Sequence, residues 1–210
     1  MSTQIQTNSA SSRVGWNKGR LVGQKRPLRQ KEVWAIRVRL QMKRRKRDLA
    51  MFNLAIDSKL RGCDLVSLRV DDIASGGHVR ARATIVQHKT GRAVQFEITE
   101  QTRTSLLDWL IVRPPDRGHY IFASRVHDQP HLTARQYARV VHGWIESAGM
   151  DSTAYGTHSL RRTKVAQIYR KTGNLRAVQL LLGHTKLEST VRYLGIEVDD
   201  ALTLSEQVEL

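Results

Sequence analysis

The stretch Thr157-His158-Ser159-Leu160-Arg161-Arg162, followed by Leu182-Gly183-His184 and then Tyr193, is the part of this sequence that decides its interpretation. Between residues 157 and 193 it supplies the imidazoles of His158 and His184, the guanidinium of Arg161 and the phenol of Tyr193. A phenol can attack a phosphodiester as a nucleophile, and cationic side chains can stabilise the charge that develops on the phosphate. The pattern therefore predicts phosphoryl-transfer chemistry.

The spacing of these residues supports that prediction. His158 and Arg161 are three apart at the start of a predicted helix, so they share a face and can reach one phosphate. A helix N-terminus also favours an anion there. His184 follows Gly183 at a predicted helix end, where glycine suits a left-handed cap. The phenol of Tyr193 has an ordinary pKa near 10, so it needs nearby cations or a base to attack phosphorus at neutral pH.

Each of these residues also has an ordinary structural explanation. A histidine at a helix start is commonly a cap or a surface group. A tyrosine among Val191, Leu194 and Ile196 is commonly a core or boundary aromatic. Adjacent arginines such as Arg161 and Arg162 usually lie on a solvated face. The functional interpretation depends on their joint order and spacing.

Length and composition predict one catalytic-size domain, because 210 residues with 40% hydrophobic content can bury one sizeable core. No apolar run is long enough to span a membrane, and residues 1–12 lack the apolar region of a secretory signal, so we expect a soluble, cytoplasmic protein. The single cysteine, Cys63, excludes an internal disulfide and a Cys-based zinc site. The leucines around it predict that it is buried.

The net charge of +16 is distributed unevenly. Residues 1–50 hold fourteen Lys or Arg against two acids, whereas residues 196–210 hold five acids and no basic residue. A basic segment of this kind indicates a polyanionic partner, and double-stranded DNA is the leading candidate. The alternative is a solvated basic arm that contacts acidic lipid or nothing.

Apolar periodicity predicts a mainly helical α+β fold with a small antiparallel β-sheet. The two strands are expected over His78–His88 and Ala93–Ile98, with residues 88–92 as a hairpin turn. Helices are expected from Lys31, from Asp48 and from Cys63, and then over Thr99–Val112, Thr133–Ala148, His158–Lys171, Asn174–Leu182 and Lys186–Leu194.

At the motif residues the chain resembles the tyrosine recombinase (phage integrase-like) family. The match consists of His-x-x-Arg at His158 to Arg161, Leu-Leu-Gly-His at Leu181 to His184, and Tyr193 nine residues further on. The family also has an upstream arginine, and the segment Lys59 to Ile73 resembles that element with Arg61 in the arginine position. A lysine in a β-hairpin is expected as well, and Lys89 fits it, although Arg92 is close by.

The resemblance implies a role for each matched residue. Tyr193 would attack a DNA phosphodiester and form a 3′-phosphotyrosine with release of a 5′-hydroxyl. Arg61 and Arg161 would hold the non-bridging oxygens, and His184 would donate another hydrogen bond to them. Lys89 would act as general acid toward the departing 5′-oxygen, and His158 would assist proton removal from the tyrosine or position the phosphate. Neither a cofactor nor a metal is implied.

The resemblance also implies a domain organisation for the chain. We expect a basic flexible N-terminal arm over residues 1–30, a catalytic recombinase domain over 31–195 and an acidic C-terminal tail over 196–210. The layout is similar to short, catalytic-domain-only members such as the recombinases that invert fimbrial promoters. The implied partners are DNA, further copies of the chain in a tetramer on two DNA sites, and accessory DNA-bending proteins.

Two other functions stay open at this point. The first is a catalytically silent DNA-binding protein on the same scaffold. The second is a type IB topoisomerase-like enzyme that relaxes supercoils with similar residues. The sequence identifies neither the DNA site nor whether integration, excision or inversion is catalysed.

Overall fold

The computed structural model describes residues 24–114, 118–124 and 129–195. In this part of the chain the larger helices are α1 (Gln30–Met42), α2 (Lys46–Ser58), α5 (Glu100–Val112), α6 (Ala134–Ser147) and α7 (Thr157–Thr172). The shorter helices are α3 (Gly62–Val66), α4 (Val70–Ile73), α8 (Leu175–Leu182) and α9 (Leu187–Leu194). A 3₁₀ turn lies at Ser152–Ala154.

Two small antiparallel sheets accompany the helices. Strands β1 (Ala74–Ser75) and β2 (His78–Val79) form one of them, and β3 (Arg82–Val86) and β4 (Ala93–Glu97) form the other. In the second sheet Arg82 pairs with Glu97 and Val86 pairs with Ala93. The mainly helical α+β prediction is confirmed, and the strand expected over His78–His88 is divided into β2 and β3.

The main core is organised around α2. Every residue from Ala50 to Ser58 in this helix is buried, because α5 and α7 pack against it and α1 contacts it as well. Phe52 meets the ring of Trp144 on α6 edge to face, with ring centroids 5.5 Å apart. A helix that is buried all round requires packing on several sides, and this arrangement fixes α7 relative to the rest of the domain.

A second, smaller core joins the C-terminal helices. Val165 of α7, Val178 and Leu182 of α8 are fully buried, and partly buried side chains of α9, including Tyr193, pack on them. The apolar residues of α8 recur at helical spacing, which is why this short helix buries one face. This small core places α9 beside the N-terminal half of α7.

Residues 24–29 belong to the predicted basic arm. Leu28 is buried in the main core, and its backbone N–H donates to Oγ1 of Thr163 on α7 at 3.0 Å. The guanidinium of Arg26 lies 4.5 Å from the ring centroid of Tyr155. The rest of the predicted arm and the acidic tail lie outside the described residues, so the predicted domain boundaries stay predictions.

The prediction for Cys63 is wrong. Its side chain is exposed, whereas Leu65 and Val66 of the same helix are buried. Asp64, Leu65 and Val66 of this five-residue helix are buried, whereas Cys63 lies on its solvent-facing side. Nearby leucines in the sequence therefore did not decide the burial of Cys63.

Candidate active site

Helix α7 provides the first two predicted residues. His158 lies in its first turn with an exposed side chain, and Arg161 follows one turn later and is only 3% exposed. Nη2 of Arg161 donates a hydrogen bond of 3.0 Å to the carbonyl oxygen of Leu182, the last residue of α8. This bond joins α7 to the turn that carries His184.

Arg61 is held at the start of α3. Its Nη1 donates to Oε1 of Gln87 at 2.6 Å and lies 4.0 Å from Oδ2 of Asp64. Oδ1 of Asp64 accepts the backbone N–H of His88 at 2.9 Å. Gln87 and Asp64 are both buried, so the guanidinium is oriented by one fixed hydrogen-bond acceptor and one fixed carboxylate charge, and the hydrogen bond connects it to the β3–β4 hairpin.

The β3–β4 turn carries Lys89 on its exposed surface. The backbone N–H of Gly91 donates to the carbonyl oxygen of Gln87 at 2.8 Å, and Gly91 has a φ of +62°. Glycine is suited to this left-handed conformation, which closes the turn. The hairpin prediction over residues 88–92 is therefore confirmed.

The turn after α8 places His184. Gly183 caps the helix with a φ of +68°, and a Cβ atom there would lie 2.7 Å from Cγ2 of Val94 on β4. Only glycine fits so close to the hairpin. Nδ1 of His184 lies 3.1 Å from Oγ1 of Thr190, and Nε2 of Gln179 donates to the carbonyl oxygen of Thr185 at 3.0 Å. These contacts on both sides of the turn orient the imidazole.

Helix α9 brings Tyr193 to the same place. Its ring packs edge-on against His184, with centroids 5.5 Å apart and an interplanar angle of 84°. The Cζ atoms of Arg161 and Arg162 lie 5.5 Å and 4.8 Å from the centroid of the phenol ring. The nucleophile predicted from sequence is thus in contact with two arginines and a histidine of its own chain.

The Tyr193 hydroxyl is buried and has no hydrogen-bond partner among the described residues. Burial raises the pKa of the phenol, while the charges of Arg161, Arg162 and Arg61 oppose that rise. Arg162 is close enough to act through its charge, although none of its N–H groups meets the hydroxyl with hydrogen-bonding geometry. The pKa stays raised overall, so the positive cluster offsets only part of the effect of burial on the phenolate that an attack requires.

Both histidines are electrostatically perturbed. Burial lowers the pKa of His184 to about 4, and the charges of Arg161 and Arg61 add to the effect. The pKa of His158 is lowered by partial desolvation and then by Arg161, Arg162, Arg61 and Lys89. Both imidazoles are therefore neutral at physiological pH in the DNA-free protein. A neutral imidazole can still donate one N–H to a phosphate.

The structure brings the six predicted residues into one neighbourhood, with Lys89 at its exposed edge: Arg61, Lys89, His158, Arg161, His184 and Tyr193. Arg161 and Arg162 are both buried, so the alternative of a solvated arginine face is wrong. No cluster of three or more His, Cys, Asp or Glu side chains suited to a metal ion occurs within residues 24–114, 118–124 and 129–195.

Sequence reasoning missed a buried ionic network behind the site. Nζ of Lys59 donates to both carboxylate oxygens of Glu97 at 2.9 and 2.7 Å. Nζ of Lys164 bridges Glu97 and Asp57 at 2.6 and 2.7 Å. Burial alone would raise the pKa of Asp57, but hydrogen bonds from Lys164, Thr102 and Thr99 outweigh it, so the pKa is lowered.

This network fixes the chain that leads to Arg61. Lys59 has a φ of +55°, which is uncommon for a residue with a side chain, and its ammonium group is fully buried. Together with Glu97 on β4 and Lys164 on α7, it ties the end of α2 to the β3–β4 hairpin and to α7. No local motif in the sequence signals the network, because its members are separated by up to 107 residues.

Residues 26–198 match the model of the phage integrase family. The chain belongs to the phage integrase family. This match confirms the resemblance that the His-x-x-Arg, Leu-Leu-Gly-His and tyrosine motifs predicted. Among the helices that the structure describes, none is long and apolar enough to cross a membrane.

Two curated relatives of the integrase family illustrate the similarity. The chain is 27% identical over 158 residues to the probable integrase/recombinase YoeC of Bacillus subtilis, covering 75% of this chain and 82% of the relative. It is 30% identical over 155 residues to the tyrosine recombinase XerC of Actinobacillus pleuropneumoniae, covering 72% and 48% respectively. The chain thus spans about half the length of the XerC relative.

Solved structures of integrase-family proteins share the fold. The XerA recombinase superposes with a TM-score of 0.70 at 18% identity, covering 86% of this chain and 64% of that one. The XerH recombinase bound to its difH substrate before cleavage gives a TM-score of 0.65 at 21% identity, covering 85% and 53%. At these identities the likeness establishes the architecture alone.

Proposed function

We propose that this chain is a site-specific DNA recombinase that cleaves and rejoins DNA through a 3′-phosphotyrosine. One observation carries the proposal: Tyr193 lies in contact with Arg161 and His184, near enough to Arg61 for that charge to act on the phenol. A phenol in such surroundings has the cations it needs for attack on phosphorus.

Each residue of the cluster has a role that follows from its chemistry. The guanidiniums of Arg61 and Arg161 bind the non-bridging oxygens and stabilise the charge added in the transition state. His184 donates its free ring N–H to the same phosphate, and His158 assists the proton transfer from Tyr193. Lys89, exposed on its hairpin turn, protonates the departing 5′-oxygen when the hairpin closes on DNA.

The covalent step conserves the phosphodiester bond energy. Tyr193 oxygen forms a bond to phosphorus as the bond to the 5′-oxygen breaks, and the leaving oxygen takes up a proton. Attack by another strand's 5′-hydroxyl reverses these changes, so strands are exchanged without ATP. The residues alone can supply this chemistry, because each partial charge in the transition state has a cationic or donor side chain beside it.

Double-stranded DNA is the proposed substrate. The basic excess in residues 1–50 suits phosphate contacts, which fix position but carry little sequence information. Strand exchange requires two DNA sites, so the proposal includes a tetramer of the chain during synapsis, together with accessory proteins that bend DNA. Solved relatives include the XerH recombinase bound to difH and a lambda integrase dimer bound to a COC′ core site.

Covalent capture from a random DNA pool tests the proposal. The chain is incubated with nicked duplexes of random sequence, in which cleavage near the nick releases a short fragment and traps the adduct. Denaturing gels and sequencing then identify the trapped DNA. We expect a covalent adduct with the wild type and with Tyr169→Phe, and none with Tyr193→Phe.

The same experiment separates the alternatives. DNA binding without any adduct would leave a silent DNA-binding protein as the function. Adducts without sequence enrichment, together with relaxation of a supercoiled plasmid, would indicate the topoisomerase-like activity. Enrichment of one recovered sequence is the result that the recombinase proposal requires.

A further inference from the structure

Arg162 connects the nucleophile to the segment that precedes α1. Its side chain is 8% exposed, and its Cζ lies 4.8 Å from the centroid of the Tyr193 ring. Nη1 donates to the carbonyl oxygen of Lys25 at 2.7 Å, and Nη2 donates to Oε1 of Gln24. One guanidinium therefore packs on the phenol and binds two acceptors of the N-terminal segment.

Gln24 completes a closed path back to α9. Its Nε2 donates a hydrogen bond of 2.6 Å to the carbonyl oxygen of Arg192, the residue before Tyr193. The segment itself is anchored, because the Leu28 backbone N–H donates to Thr163 of α7 and its side chain is buried. The bonds thus run from α7 through Arg162 and Gln24 to the end of α9.

We propose that Arg162 and Gln24 are positioning residues that hold Tyr193 against the cationic cluster of the active site. This inference rests on the proposed recombinase function. Helix α9 has only eight residues, and ring contacts with His184 and the two arginines restrain the Tyr193 side chain without fixing the backbone of its last turn by a hydrogen bond. The hydrogen bond from Gln24 acts on that turn.

The charge of Arg162 suits the same role. Both of its acceptors are neutral carbonyl oxygens, so no carboxylate cancels the guanidinium in these contacts. Its positive charge stays available to the phenol ring and to the phenolate that forms during attack. By contrast, Arg61 and Lys164 both lie within 4.0 Å of a carboxylate.

The hydrogen bonds from Arg162 through Gln24 to the end of α9 are called the clamp here. Hydrogen–deuterium exchange of the DNA-free protein tests this clamp directly. Gln24→Ala removes the bond to α9 at an exposed position, so folding of the main core is unaffected. We expect the amides of α9 to exchange about fivefold faster than in the wild type, as for the loss of one hydrogen bond. Gln101→Ala, at another exposed glutamine, is the matched control and leaves α9 exchange unchanged. Unchanged exchange in Gln24→Ala overturns the clamp.

A single-turnover assay at saturating DNA tests positioning. In Gln24→Ala the rate of adduct formation falls on the order of tenfold while the Kd for DNA stays the same, because one misplaced reacting atom affects only the chemical step. Arg162→Lys, which retains the charge but not the paired donors, shows the same split with a smaller loss. An equal loss in binding and rate, or no loss in rate, overturns the positioning role.

The exchange and single-turnover experiments distinguish failure of the clamp from failure of the proposed function. If the wild type forms no adduct, the recombinase function fails, whereas α9 exchange still decides the clamp.

Discussion

The guanidinium of Arg61 donates to the side-chain oxygen of Gln87 at 2.6 Å, across 26 residues of chain. Gln87 is 1% exposed and also accepts from the Thr90 hydroxyl at 2.9 Å. One amide oxygen therefore sets both the direction of Arg61, the arginine proposed to bind phosphate, and the shape of the turn that carries Lys89.

Replacing Gln87 is expected to slow DNA cleavage without preventing DNA binding. Gln87→Ala removes the acceptor that orients Arg61, so adduct formation should fall on the order of tenfold, the range for a loosened transition-state contact. The measurement is the single-turnover adduct rate. Gln95→Ala, on the exposed face of β4 in the same hairpin, should keep the wild-type rate. A wild-type rate in Gln87→Ala would show that Arg61 needs no such support.

Removing the Tyr193 hydroxyl should stabilise the DNA-free protein. That oxygen is buried without a hydrogen-bond partner in the described part of the chain, and such a group destabilises the folded state by about 1–3 kcal/mol. Tyr193→Phe retains the ring contacts with His184 and Arg162. We expect its free energy of unfolding, from urea titration, to be about 1 kcal/mol higher. A decrease would mean that the hydroxyl is satisfied in solution.

Two glycines with similar backbone angles separate conformational strain from steric contact. Gly173 and Gly183 have φ values of +62° and +68°, but only at Gly183 would a Cβ meet another atom within 4 Å. Gly173→Ala should therefore destabilise by about 1 kcal/mol, the cost of the left-handed conformation. Gly183→Ala should cost about 1–3 kcal/mol more, because Val94 must move. Equal losses in urea unfolding would contradict the close approach between α8 and β4.

Breaking the buried ionic network should destabilise the whole domain. Asp57→Asn removes a partner of Lys164 and weakens the bonds from Thr99 and Thr102. Loss of one member of a buried pair typically costs about 3–5 kcal/mol. Asp71→Asn, at an exposed aspartate, should change stability by no more than about 0.5 kcal/mol. A small loss in Asp57→Asn would indicate that water replaces the missing charge.

His184 should make stability depend on pH below neutrality. Its pKa is about 4 in the folded protein, against an ordinary value of 6.5. Between these values the unfolded chain binds a proton that the folded chain does not, so stability falls as the pH drops from 6.5 toward 4. In Tm measurements over this range, His184→Gln should show a shallower decline. His142→Gln, an exposed control, should follow the wild type. Parallel curves for all three proteins would refute the assignment.

The sequence predicted the helices well where apolar spacing was regular. The expected helix over Thr99–Val112 appears as Glu100–Val112, and that over Asn174–Leu182 begins one residue later. It did not separate β2 from β3, because Arg80 and Ala81 interrupt the ladder without a proline or glycine. The β1–β2 pair was also missed, since two-residue strands carry too little pattern to detect.

The sequence predicted part of the site because four of its residues belong to short local motifs. The motifs place His158, Arg161, His184 and Tyr193 in one stretch of chain, and α8 and α9 fold that stretch back on itself. Gln87 and Gln24 could not be predicted in this way. Their contacts with Arg61 and Arg162 span 26 and 138 residues, and isolated glutamines have no distinctive spacing.

The small core formed by Val165, Val178 and Leu182 determines how firmly α8 and α9 are held on the domain. Because this unit is small and separate from the one around α2, it can open and reclose as a cooperative piece while the remainder stays folded. Substitutions at Val165, Val178 or Leu182 would then change how often α9 and its Tyr193 detach. They would have little effect on the free energy of global unfolding. The rate of DNA cleavage and the melting temperature of the domain can therefore evolve independently of each other.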